Sequence, residues 1–509
     1  MHYHIEIMMS SIFIWLPLLF LLTKKLLHNK NNNLVNPPPS PPKLPLLGHL
    51  HLLGSHPHRS LYNLSQKNGP IMLLKLGSVP TIAISSATAA RELFKHHDLA
   101  SCSRPRLTGT GRFSYNFQDL NLSPHGERWR ELRKIFMTEL FSTKRVQSFY
   151  HIREEEIDKL LKFISNSSSL GTPIDLAKTS YALTANVIFR MAFGKKFSGG
   201  ELDNENFQHI IRRSMVALGS FFVSDFFPRV GWLVDWISGA YGTLEKSFGE
   251  MDAIFQKVVD DRIKFKESYR SSEENIVDVL LRMERDSSEF DTVKFTHECV
   301  KALIMDIFLA GVETGENSIV WAMTELIKNP RVMKKLQDEI RSTIKEDRVK
   351  ESDLQNLQYL NMVIKEVLRL HPPVPLLLPR EATSHFKLNG YDIHPKTHIY
   401  VNVWAIGRDR ESWKNPLEFF PERFIESNID YKGQNFELIP FGAGRRICAG
   451  MTMGIIIVEL ALANMLLCFD WKLPKGVKEE DVDMEEDAGL SASKKLPLQL
   501  IPIPYLSLD

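Results

Sequence analysis

The sequence predicts a mostly α-helical protein with small β-sheets, folded as a single large helical domain behind an N-terminal membrane anchor. Three observations lead there. Long amphipathic stretches at 145–165, 246–267, 300–328, 331–345 and 353–370 carry apolar residues three and four apart with charges between them, the period of a helix with one buried face. Strand-like pieces are short and few: IMLLKLG and PTIAISS within 71–86, and HIYVNVWAIG at 398–407. No repeat and no second linker divides residues 49–509, so the body reads as one unit.

The anchor occupies residues 1–30, with its helix over about 8–23. The run MMSSIFIWLPLLFLL is slightly shorter than the ~20 residues a spanning helix wants, a mismatch that tilt and local thinning absorb. A cleaved signal would place its positive charges before the apolar stretch; here Lys24, Lys25 and Lys30 follow it. Positive charge on that side leaves the remaining chain in the cytosol. Residues 31–48 form a proline-rich hinge, because successive prolines fix φ and stiffen the chain. His49, His51, His56 and His58 follow at irregular spacing and read as a surface turn rather than a metal site, and the acidic run Glu479 to Asp487 reads as a solvated loop.

Composition narrows the class. Apolar residues make up 43% and charged residues 24%, enough to bury a large core. A formal net charge of +2 gives no global field to draw nucleic acid, so no nucleic-acid partner is expected. The four cysteines, at 102, 299, 448 and 468, are too scattered for a zinc site or a disulfide framework. Free thiols in a reducing compartment fit them.

The informative segment is PFGAGRRICAG at 440–450, followed by the apolar helical run MTMGIIIVELALANMLL. Its glycines let backbone pass close to a flat ligand. Cys448 precedes a helix, where N–H groups and the positive dipole end favour a thiolate. The pattern F-x-x-G-x-R-x-C-x-G resembles the haem-binding loop of the cytochrome P450 monooxygenases at every fixed position, a coincidence expected on the order of once in ten thousand from average residue usage. Glu366-Val367-Leu368-Arg369 and Pro421-Glu422-Arg423-Phe424 resemble the family's E-x-x-R and P-E-R-F segments. Ala310-Gly311-Val312-Glu313-Thr314 resembles its oxygen-side helical groove, and Trp129-x-x-x-Arg133 its propionate-reaching pair. The PFGAGRRICAG wording, the hinge and the groove are most similar to the plant microsomal enzymes of specialised metabolism.

The resemblance implies the cytochrome P450 fold and haem b as cofactor. It makes Cys448 the axial ligand of the iron, with Phe441 and Gly442 lining the loop and Trp129, Arg133, Arg380 and Arg446 as propionate partners. Thiolate ligation favours O–O cleavage. Thr314 would be the hydroxyl and Glu313 the acid of a proton relay, with a groove glycine opening the helix towards the iron. Glu366, Arg369 and Arg423 would form a structural network. The substrate pocket would draw on Phe113, Phe117, Phe308, Ala310, Val374 and Leu490, apolar residues suited to a lipophilic terpenoid, alkaloid or phenylpropanoid.

The implied reaction inserts one oxygen atom from O2 into such a molecule. No G-x-G-x-x-G follows a strand, so electrons must come from a separate protein. The resemblance implies an NADPH-dependent reductase in the endoplasmic reticulum membrane, with cytochrome b5 as an optional second donor. Arg130, Lys134 and Arg445 are the positive contacts for that reductase. Two other readings share these residues. One is oxygen-independent rearrangement or dehydration on the same scaffold, and the other is a non-catalytic haem carrier or sensor.

Overall fold

The computed structural model describes residues 36–194, 204–268, 274–286 and 295–506. The anchor and the first part of the hinge lie outside the described residues. The elements that build the site are α1 (Glu127–Ile135), α2 (Leu176–Phe193), α3 (Asn204–Leu218), α4 (Ala240–Ser268), α5 (His297–Lys328), α6 (Pro330–Thr343), α7 (Gln358–Leu370) and α8 (Met451–Cys468).

Helix α5 is the axis of the core. Thr296 caps it by accepting the Cys299 N–H, and 25 of its 32 residues are buried, far more than one amphipathic face requires. It packs most extensively on α2, which is capped by Asp175 and ends where Gly194 turns left-handed at φ +69°. Close approach depends on glycine: a Cβ at Gly311 would lie 2.5 Å from Ile188 Cδ1, and one at Gly315 would lie 2.9 Å from Thr184 Cγ2. Among the described residues, α8 is the one helix long and apolar enough to cross a membrane, and its burial identifies it as core.

A small sheet carries strands β1 (Ile71–Leu76), β2 (Val79–Ile84), β3 (Arg380–Glu381) and β4 (His398–Val401) in the order β1-β2-β4-β3. β1 and β2 are antiparallel, β2 and β4 parallel, and Arg380 stands opposite Ile399.

Several expectations change. The strand read across 398–407 stops at Val401, because Asn402 accepts the Ala405 N–H and caps a short helix over Val403–Ile406. The helix expected over 353–370 is a short 3-10 turn, Glu351–Asn356, followed by α7. The acidic run is not wholly solvated. Glu486 is buried, accepting from His58 at 2.7 Å, Arg59 at 3.0 Å and Trp404 at 3.2 Å. Burial opposes its charge, but the His58 hydrogen bond and the neighbouring His58 and Arg59 outweigh that and hold the carboxyl at about 2. His49 is buried as well, with Nε2 against Pro41 O and Nδ1 accepting the Lys75 N–H. His56 Nε2 also meets Glu486 O at 2.9 Å, so three of the four histidines tie the start of the domain to the rest of the body.

Candidate active site

The 440–450 loop is folded by its glycines and one carboxylate. Cys448 N donates to Phe441 O at 3.0 Å, and Gly442 and Gly444 sit at φ +70° and +68°. A Cβ at Gly444 would fall 2.5 Å from Asp98 Oδ1. Asp98 needs that space, since it accepts from Arg445 N at 2.9 Å and from Arg380 Nη1 at 2.8 Å. Gly444→Ala is expected to lower stability by roughly 3 kcal/mol, from left-handed strain plus the clash. An unchanged melting temperature would contradict this placement.

Cys448 opens on a cavity lined by Ala310, Thr314, Val374 and Leu490 on its apolar side and by Arg104, Arg380 and Arg446. Phe441 and Gly442 also line it. Burial pushes the Cys448 thiol up, against the N–H groups of Gly450 and Met451 and the charge of Arg133. The expected dipole stabilisation is thus present but outweighed. A thiolate at this position calls for a cation facing the sulfur.

The arginines make the complementary demand. Arg446 donates to the carbonyls of Cys102 at 2.8 Å, Leu120 at 3.1 Å and Ser123 at 2.7 Å, with its guanidinium 4.0 Å from the Trp129 ring. Arg104 donates to Asn121, Leu378 and Pro379 carbonyls. Burial first, then the mutual repulsion of the cluster, pushes Arg104 well down; burial, with repulsion from Arg380 and Arg133, brings Arg446 to about 9. Arg380 alone of the three has a carboxylate partner, Asp98. A thiol on the wall and an under-neutralised guanidinium cluster at the edge of one apolar cavity fit a flat metallo-group bearing carboxylates, and they fit haem b. Arg104 carries no motif, so nothing in its neighbouring residues singles it out.

Trp129 and Arg133 stand behind this wall rather than on it. Trp129 Nε1 donates to Leu120 O at 3.0 Å, and Arg133 Nη2 donates to Ile447 O at 2.8 Å, beside the cysteine.

On α5, Thr314 faces the cavity and donates to Ala310 O at 2.6 Å. Glu313 points elsewhere. Its Oε1 accepts from Ser491 at 2.6 Å and Ser493 at 3.0 Å, while Oε2 is buried without a partner. At Gly311 and Gly315 the missing Cβ makes room for Ile188 and Thr184 of α2.

The three pocket phenylalanines are placed away from the cavity wall. Phe308 is fully buried, stacked on Phe193 with centroids 5.5 Å apart and surrounded by Phe189, Phe207 and Phe255. It lies roughly 200° around α5 from Ala310, so both cannot face one cavity. Phe113 packs edge-on against Phe248, and Phe117 stands at φ +63° beneath the Arg106 guanidinium, 4.7 Å from its ring centroid. A second apolar cavity of about 510 Å³ adjoins the first, sharing Leu122, Leu218, Leu377, Leu378 and Leu490.

Glu366, Arg369 and Arg423 come together. Glu366 accepts from Arg369 Nε and Nη2 at 2.8 Å each, from Arg423 Nε at 2.9 Å and from Phe420 N at 2.8 Å. Arg369 also donates to the carbonyls of Gly407, Pro416 and Glu418. Every strong donor of that buried guanidinium has an acceptor.

A cysteine sulfur and a threonine hydroxyl sharing an arginine-edged apolar cavity define a haem-thiolate protein. The chain belongs to the cytochrome P450 family, whose profile, "Cytochrome P450", matches residues 38–501. It is 49% identical to "Cytochrome P450 71B37" of Arabidopsis thaliana over 500 residues, covering 97% of this chain and 99% of that one. To "Cytochrome P450 71B26" of the same plant it is 48% identical, with 98% of each covered. Its fold is shared with a zebrafish cytochrome P450 solved with abiraterone, at TM-score 0.75 and 22% identity, over 89% of this chain and 100% of that one. The protein is a haem b monooxygenase of plant specialised metabolism, drawing electrons from an NADPH-dependent reductase and acting on a lipophilic small molecule.

Proposed function

We propose that Cys448 would hold haem b through its sulfur, that Arg380 and Arg446 with Arg104 would hold its carboxylates, and that Thr314 would supply a proton-bearing hydroxyl at the cavity wall. The observation that carries this reading is that cysteine, arginines and threonine all line one cavity. Bound there, haem supplies the one-electron and dioxygen chemistry that side chains lack. The chain's own part is to shape a dry apolar space, hold the carboxylates, and keep a hydroxyl at its wall. The Thr314 hydroxyl is parked on Ala310 O, one rotamer change from presenting its proton to the cavity. Glu313, which Ser491 and Ser493 hold away from the cavity, would act as the acid only by leaving those two hydroxyls.

Thr314→Ala is expected to keep the haem spectrum while diverting much of the NADPH consumed into hydrogen peroxide. Full coupling of NADPH to product in that variant would remove the role given to Thr314.

Residues 1–30 are proposed as the membrane anchor, 31–48 as the hinge and 49–509 as the cytosolic catalytic domain at the endoplasmic reticulum. Exposed apolar side chains at one end support a membrane-facing surface: Leu46 and Leu47 on the hinge, and Trp232, Trp236 and Ile237 beyond it. The turn between β1 and β2 bonds both the hinge and the chain just before Trp232, through Gly77 N to Leu47 O at 3.2 Å and Ser78 N to Phe226 O at 2.8 Å. Arg130, Lys134 and Arg445 are exposed on the cysteine side and are proposed to meet the acidic face of the reductase, with cytochrome b5 as an alternative donor. Replacing all three with glutamate is expected to slow reductase-driven turnover at low salt; unchanged turnover would exclude that surface.

A further inference from the structure

We propose that Asp119 and Asp306 hold one proton between them, so that a neutral acid paired with a carboxylate fastens the 119–123 segment to the cavity-facing row of α5. This pair goes beyond the reading above and stands whatever fills the cavity.

Asp306 lines the cavity with Ala310 and Thr314, residues four apart on α5 and therefore on one side of it. Its Oδ2 accepts from Leu120 N at 2.8 Å and Asn121 N at 3.2 Å. Asp119 Oδ2 accepts from Leu122 N at 2.7 Å. The two carboxyls are within hydrogen-bonding reach of each other, and both are buried. Asp119 Oδ1 is nevertheless left without any donor. Two ionised acids would set a bare acceptor against another acceptor in a dry site, a costly arrangement. One proton turns the same contact into an O–H···O⁻ hydrogen bond.

No cation does this work instead. Arg446 from the cysteine loop, Arg104 from the segment before α1, and Arg128 from α1 face the pair, as does the Cys299 thiol from α5 itself. Arg446 and Arg104 direct their N–H groups to backbone carbonyls, and Arg128 Nη2 bonds Gln118 Oε1 at 3.2 Å. Among the described residues neither acid forms an ion pair. Burial, reinforced by the partner's charge, pushes Asp306 well above the carboxylate range, and burial lifts Asp119 to about 6. These values belong to the pair jointly.

The pair is a positioning device. The segment it holds presents Leu120 O and Ser123 O to Arg446, Asn121 O to Arg104 and Leu120 O to Trp129. Sharing one proton also leaves a single charge where two would face an apolar cavity. The sign of the pH effect follows. The folded state binds a proton that the unfolded chain releases near pH 4, so the pair's contribution is largest in acid and declines as pH rises through the raised values.

Asparagine at 306 can accept the two backbone N–H groups through its oxygen and donate through its nitrogen to Asp119. Difference infrared spectra of the purified full-length holoprotein at neutral pH, wild type minus Asp306→Asn, are expected to show a D2O-sensitive protonated-carboxyl C=O band over the constant bands of Glu316 and Glu459, which burial also raises. The Asp306→Asn variant should melt close to wild type with a shallower decline in alkali, whereas Asp306→Ala should melt lower at every pH. Two results would each overturn the proposal. One is the absence of such a band from the difference spectra of both Asp306→Asn and Asp119→Asn. The other is an Asp306→Asn protein that melts as low as Asp306→Ala, which would show that both acids are ionised.

Discussion

Alanine at Glu366 is expected to destabilise the fold by about 3–5 kcal/mol, because it strands the fully buried Arg369 guanidinium and takes the carboxylate from the half-buried Arg423. The carboxylate is completely buried and receives four hydrogen bonds, three of them from Arg369 and Arg423. A domain of ordinary stability has about 5–15 kcal/mol in total, so the variant should collect as haem-poor, protease-sensitive protein. Arg369→Ala should cost a similar amount, since it leaves the Glu366 charge with Arg423 alone. The double replacement should cost less than the sum, because the two side chains share one interaction. Urea midpoints for the set measure this directly. A Glu366→Ala midpoint within error of wild type would show that the network is not a structural lock.

Serine at Cys448 is the second large effect. The side chain is close to isosteric, its backbone N–H would still bond Phe441 O, and the glycine turns around it do not depend on sulfur. Circular dichroism should therefore remain that of a helical fold. What disappears is the soft, polarisable ligand, and with it the thiolate-type carbon monoxide band and all NADPH-dependent oxygenation. Retention of that band in Cys448→Ser would move the ligand to another residue. Cys102, Cys299 and Cys468 are poor substitutes, because all three are buried and none of them lines the cavity that Cys448 opens on.

These expectations rest on segments whose constraints are local. The 440–450 loop and the Glu366–Arg369 spacing were legible because a left-handed glycine, or an ion pair one helical turn apart, is written in neighbouring residues. The helices were legible for the same reason, through their apolar period. What the sequence hid depends on which neighbour a face meets. Phe308 and Ala310 look equally suited to a pocket until α2 and α4 are seen to claim the Phe308 side. Glu313 beside Thr314 suggests a relay, yet its hydroxyl partners lie about 180 residues further on. Gly311 has space to give, but the direction of that space is set by Ile188. Arg104 and Glu486 carry no motif at all. Their importance comes from carbonyls and cations brought together over distances of hundreds of residues along the chain.

Sulfur from Cys448 must reach iron for this chemistry, and the ferrous–carbon monoxide difference spectrum of the purified wild-type protein tests that most directly. The expected result is a strongly red-shifted Soret band of thiolate type, with haem b recovered near one per chain. A spectrum of the histidine-ligated type, or protein that takes up no porphyrin when expressed with ample haem, would contradict it.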